Sequence, residues 1–189
     1  MRRVSGLLAL LLVISAFGMV ACSDEKPASE KALETLNQGL ELHGAGQLED
    51  AAAAYREVLE IEPRNQFAFY NLGLIDQTNG NQESAENNYR IALSIDPGFA
   101  AALFNLAIVR TEQGDVDEAV ALYRRVIDVN PNHAGAYLNT GLLLRATGDT
   151  VGAGAALARA IELDPSLANR IPPEGSGTPV NSEAIPTEP

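Results

Sequence analysis

Side chains able to do chemistry are few in this 189-residue chain, and they lie far apart. There is one cysteine, Cys22, and the two histidines, His43 and His133, stand 90 residues from each other. Nucleophilic or acid–base catalysis needs Ser, His and carboxylate groups that converge. A zinc site needs Cys and His at ligand spacing. Neither pattern occurs, so no catalytic residue, metal or cofactor is expected, and His43 reads as an ordinary surface or groove residue. Gly152 and Gly154 follow no strand-like run and lack the full G-x-G-x-x-G of a phosphate loop. The polar group that does recur is a primary amide. "AFYNLG", "ALFNLA" and "AYLNTG" carry Asn71, Asn105 and Asn139 at intervals of 34, and Asn37 precedes them by the same step. An amide offers two donors and an acceptor that accepts twice. It also competes with helix hydrogen bonding, so its return inside apolar runs needs a reason.

The elements that position these amides follow the same period. Prolines fall at Pro63, Pro97, Pro131 and Pro165, glycines at Gly46, Gly80, Gly114 and Gly148, and alanines at Ala51, Ala85, Ala119 and Ala153. A fixed period of this length marks an internal repeat. Each unit reads as two helices. The first, for example Phe67 to Thr78, ends before a glycine suited to a left-handed C-cap. The second starts at a cap-type residue in three units, Asn81, Asp115 and Asp149, and Asp115 to Glu118 has capping-box spacing. It stops at the proline, which cannot continue it.

These features resemble the tetratricopeptide repeat (TPR) family over residues 32–167. Gly39, Gly73, Ala107 and Gly141 match its small position on the first helix. Ala51, Ala85, Ala119 and Ala153 match its alanine on the second. Tyr55, Tyr89 and Tyr123 match its aromatic, which Leu157 replaces in the fourth unit. The resemblance implies an all-α, right-handed solenoid of four helix-turn-helix units at 32–65, 66–99, 100–133 and 134–167. Unit four, with "TVGAGAALARA", is expected to be the least stable, because Gly in a helix interior costs about 1 kcal/mol against Ala.

At 100° per residue, positions 2, 5, 6, 9 and 13 of the first helix share one face. Position 5 gives Leu36, Tyr70, Phe104 and Leu138; position 9 gives Leu40, Leu74, Ile108 and Leu142; position 2 gives Leu33, Phe67, Ala101 and Gly135. Position 6 is the asparagine row. The opposite face, positions 4, 8 and 11, supplies the packing inside a solenoid, so the first set is expected to line an exposed apolar groove that takes a partner. The site expected from this is Asn37, Asn71, Asn105, Asn139, Tyr70, Phe104, Phe67, Leu74 and Ile108. Peptide-binding TPR proteins use such an amide row on an extended chain; a consensus asparagine that is merely solvated is the competing reading. The chaperone-type clamp for a terminal carboxylate does not fit, since the face carries no Lys and Arg110 and Arg145 lie at its margin.

The ends carry other information. "MRRVSGLLALLLVISAFGMVAC" has a basic start and an uncharged run from Gly6 to Val20, long enough for a signal peptide and short of a membrane span. "MVAC" resembles the lipobox of bacterial lipoproteins, which implies a signal peptide at 1–21 and acylation (palmitate-class) at Cys22. An ordinary cleaved signal and an uncleaved anchor stay open. Residues 22–31 read as a polar tether. Ser23 beside the cysteine favours the outer over the inner membrane by the enterobacterial sorting rule. Residues 168–189, rich in Pro, Gly, Ser, Thr and Glu, read as a disordered tail.

The chain has 25 acidic and 13 basic residues, a formal charge of −12, where a nucleic-acid binder needs a basic stripe. The combined expectation is a non-catalytic scaffold at the bacterial cell envelope, lipid-anchored, holding an apolar segment of another protein. An assembly factor for a pilus, secretion or envelope complex fits it, and a homodimer through the outer side of unit four is compatible with it. The alternative is a cytoplasmic or soluble periplasmic TPR adaptor or co-chaperone.

Overall fold

The structure, a computed structural model, describes residues 26–173. The expected signal peptide, Cys22 and the tail from residue 174 lie outside it. Eight α-helices follow in order: α1 (Ala28–Gly44), α2 (Leu48–Ile61), α3 (Gln66–Thr78), α4 (Gln82–Ile95), α5 (Ala100–Glu112), α6 (Val116–Val129), α7 (Ala134–Ala146) and α8 (Thr150–Leu163). A 3-10 turn over Pro165–Arg170 completes the described chain. Each helix packs on its sequence neighbours, α1 on α2, α2 on α3 and so on to α8. This is an all-α solenoid of four helical hairpins.

The repeated glycine sets the turn inside each hairpin. Gly46, Gly80, Gly114 and Gly148 all have φ between 76° and 90°, a region that costs glycine nothing. In unit two, Gly80 N–H donates to Gln77 O at 3.0 Å and Asn81 N–H to Asp76 O at 2.8 Å. That pair of bonds is the Schellman closure of a helix C-terminus, and the same two bonds close α1, α5 and α7. The expected caps form unevenly. Asp149 Oδ1 accepts from Gly152 N–H at 2.9 Å, and Asp115 Oδ1 from Glu118 N–H at 3.5 Å, while Asn81 makes no side-chain cap. The box at Asp115 is only half made: Asp115 N–H is committed to Arg110 O, and the Glu118 carboxylate is drawn away by Arg90 and Arg110.

The small position of the first helix makes room for the aromatic of the second. A Cβ on Gly39 would lie 2.6 Å from Tyr55 Cε1, and one on Gly73 2.6 Å from Tyr89 Cε1. In unit four, Gly141 faces Leu157 at the same 2.6 Å. In units one and two glycine is therefore what the packing takes, because the rings of Tyr55 and Tyr89 lie where a methyl group would be; unit three has Ala107 at this position. Both tyrosines are fully buried, as is Tyr123. Burial pushes the Tyr55 phenol up to about 12 and raises those of Tyr89 and Tyr123 further. Their hydroxyls act as neutral groups.

The ends of the array depart from the expected boundaries. α1 begins at Ala28, so the last part of the expected tether is helical. At the other end, Leu167 is buried and Ile171 packs with it, in a cluster with Leu138, Leu142 and Ala160. Arg145 Nη1 donates to Pro172 O at 2.9 Å. The chain after Pro165 thus folds back onto unit four, and residues 168–172, expected to belong to a disordered tail, are held against it.

Candidate functional site

The face expected to be an open groove is open only at one end. Leu33, Leu40 and Phe67 are 58%, 46% and 47% exposed, Asn37 is exposed and Leu74 half-buried. Beyond unit two the same positions close. Phe104, Ile108, Leu138 and Leu142 are buried, as is Tyr70. The continuous exposed stripe expected from helical periodicity does not form.

Position 5 is buried in every unit, Leu36 included, and what packs over it from unit two onward is residue 34 of the unit, a position outside the first helix and its face. It is Asn65, Phe99, His133 and Leu167 in units one to four. Each lies where one hairpin turns into the next, and from unit two onward it folds over position 5 of its own unit. Phe99 meets Tyr70 with ring centroids 5.0 Å apart. His133 stacks on Phe104 at 4.7 Å and 30°. Leu167 shares a cluster with Leu138. Asn65 is polar and instead caps α3, accepting from Ala68 N–H at 3.0 Å. A signal for this exists in the sequence, a 34-spaced series of Phe, His and Leu, but those residues fall in turns, outside any helical periodicity.

The asparagine row turns inward with that closure. Asn105 is fully buried and its Nδ2 donates to Tyr70 Oη at 3.1 Å. Asn139 is also buried and donates to Tyr123 Oη at 3.1 Å. Unit three has Phe104 where unit two has Tyr70, so no position-5 hydroxyl exists for Asn139, and it takes the hydroxyl on α6 instead. Asn71 donates to Phe67 O, one turn back along α3, at 2.8 Å. Buried amides need partners, and the solenoid itself supplies one to each of these three. Asn37 alone stands on the exposed part of the face.

The arginines at the margin are engaged. Arg110 pairs with Glu86 and, at 3.1 Å, with Glu118, while Arg90 reaches the same two carboxylates at 2.9 and 2.7 Å. This network ties α4, α5 and α6 together. Burial alone would raise the Glu86 carboxyl, but its contacts with Arg90, Gln113 and Arg110 outweigh that and hold it below its ordinary value. Arg145 binds the Pro172 carbonyl. Neither margin arginine is arranged to clamp a free carboxylate. Among the described residues no helix is long and apolar enough to cross a membrane, and no cluster of His, Cys, Asp and Glu could hold a metal ion.

A family model described as Tetratricopeptide repeat matches residues 70–128 and 104–168, and a second, described as TPR repeat, matches 39–80. No curated protein matches. Among solved structures, MamA is similar at 21% identity and a TM-score of 0.66, covering 75% of this chain and 82% of its own. Pseudomonas aeruginosa pilF is similar at 25% identity and a TM-score of 0.66, over 74% of this chain and 64% of that one. The first TPR of Spaghetti (RPAP3), bound to the HSP90 peptide SRMEEVD, is similar at 21% identity and a TM-score of 0.60, over 63% of this chain and 94% of that one.

Proposed function

The chain belongs to the tetratricopeptide repeat family, whose members generally serve as non-catalytic protein-binding scaffolds, and we propose that it holds an apolar segment of another protein on the open end of its inner face. The observation that carries this is the exposed set Leu33, Leu40 and Phe67 on α1 and α3, with Leu74 beside it. The solenoid leaves these positions to solvent, and exposed apolar patches of this kind mark interaction sites. A TPR domain of the same fold is seen with a peptide bound. That peptide is acidic, and the engaged Arg110 and Arg145 argue for an apolar ligand in this chain. The amides proposed as contacts reduce to Asn37, since Asn71, Asn105 and Asn139 are buried and donate within the solenoid.

The setting we infer is the bacterial cell envelope, with the chain anchored by a lipid on Cys22. The basic start, the uncharged run and "MVAC" support it. From Cys22 to the start of α1 at Ala28 is six residues, which span at most about 20 Å. Unit one, with the open patch, would therefore sit next to the membrane, where a partner's apolar segment is available. An assembly factor for an envelope complex is the role that fits. The test is in-cell photocrosslinking from positions 40 and 67, with position 104 as control. Crosslinks to one envelope protein from 40 and 67, lost when the other of the two is changed to Ala, support the reading; equal yield from position 104 sinks it. Mass spectrometry finding an unmodified Cys22 thiol in the mature protein ends the lipoprotein part.

A further inference from the structure

Position 2 of the first helix is filled differently along the array. In unit two it is Phe67, whose ring meets Phe99 edge-on with centroids 5.5 Å apart. In unit four it is Gly135. A Cβ there would lie 3.4 Å from Phe104 Cζ and 3.5 Å from His133 Cε1, which is ordinary contact. The room for a side chain exists and the chain puts none in it.

What results is a surface cavity of about 450 Å³ at the junction of units three and four. Its walls are His133, stacked over the deeply buried Phe104, and Leu167, with bare Gly135 between them. Asn132 and Ser166 also line it, and Asp164 and Arg170 add one formal charge of each sign. The volume lies within the range of ligand pockets.

We propose that this cavity is an anchor pocket for an aromatic side chain of a bound protein. Unit two carries the template: there the chain's own Phe67 takes the place between the hairpin turns that Gly135 leaves empty. The edges of His133 and Leu167 that reach the cavity offer a ring offset or edge contact, while the amide, hydroxyl and charged groups around them make the rest of the lining polar. This inference rests on the reading that the inner face takes a protein segment, and it gives that segment a second foothold, one unit beyond the exposed patch.

The probe is N-acetyl-phenylalaninamide, titrated into the full chain and followed by NMR, with N-acetyl-glutaminamide as the polar control. Saturable shifts centred on His133, Gly135 and Leu167 are expected, with the control about tenfold weaker. Gly135→Phe should abolish the response and raise Tm, because the ring then seats itself in the cavity as Phe67 does in unit two. Gly135→Leu gives the same reading if the Phe variant does not fold. No saturable shift at these residues, an equal response to both probes, or an undiminished response in the folded variant overturns the pocket. Probe binding with no crosslinks from positions 40 and 67 defeats the open-patch reading and spares the pocket; the reverse defeats the pocket alone.

Discussion

The two halves of this solenoid present the same first-helix positions in opposite states. In units one and two, positions 2 and 9 expose Leu33, Leu40 and Phe67; in units three and four, position 9 is buried as Ile108 and Leu142 and position 2 shrinks to Ala101 and Gly135. The repeat is the same in sequence period and in backbone turn, so the difference lies in which side chains fill and surround these positions. Asn65 caps a helix, while Phe99, His133 and Leu167 pack over position 5 of their units. In a repeat protein each unit contacts only its neighbours. Whether an apolar face is core or docking surface is therefore set unit by unit.

The contrast predicts a large asymmetry between a closed and an open aromatic of the first helices. Phe104→Ala empties a fully buried site and should cost about 3–5 kcal/mol. Phe67→Ala, nearly half exposed, should cost under about 1.5 kcal/mol. Urea denaturation of both variants compares them directly, and equal losses would break the distinction between the halves. The asparagines sharpen it at the next level. Asn105→Ala deprives Tyr70 Oη of this donor and should destabilise by about 1–3 kcal/mol, while Asn37→Ala should stay within about 0.5 kcal/mol.

Smaller effects test the outer parts of the comparison. Gly154 lies inside α8, and a Cβ added there would meet nothing within 4 Å. Gly154→Ala should stabilise unit four by about 0.5–1 kcal/mol, seen as a higher Tm. The network joining the halves gives a pH signature. The folded Glu86 carboxyl titrates below its ordinary value of 4.5, so its stabilisation is complete above the unfolded pKa and fades as pH falls through the folded one. Glu86→Gln should lower Tm at pH 7 and narrow its difference from the wild type at pH 3, with a total effect under about 1 kcal/mol.

Much of this molecule is legible from residue spacing. The glycine, alanine and proline series marks out four hairpins, and the structure puts every one of those glycines at positive φ. The tyrosine opposite each small residue is legible as a family match, though the 2.6 Å approach that forbids a methyl group is not. Spacing misplaces Phe104, Ile108, Asn105 and Asn139, which it assigns to an open groove. Helical periodicity says which residues share a face; it is silent on what a residue outside the helix, such as His133, lays across that face. Arg90 and Glu118 stand 28 residues apart, so no helical spacing pairs them, and only the superposition of hairpins brings them within 2.7 Å.

The sequence by itself determined the helices, their turns and their order, because those depend on local conformational preference and on a period repeated four times. Which apolar residues are core and which are left for a partner was decided by tertiary structure alone. Burial is a property of neighbours across hairpin junctions, as Phe99 over Tyr70 and His133 over Phe104 show.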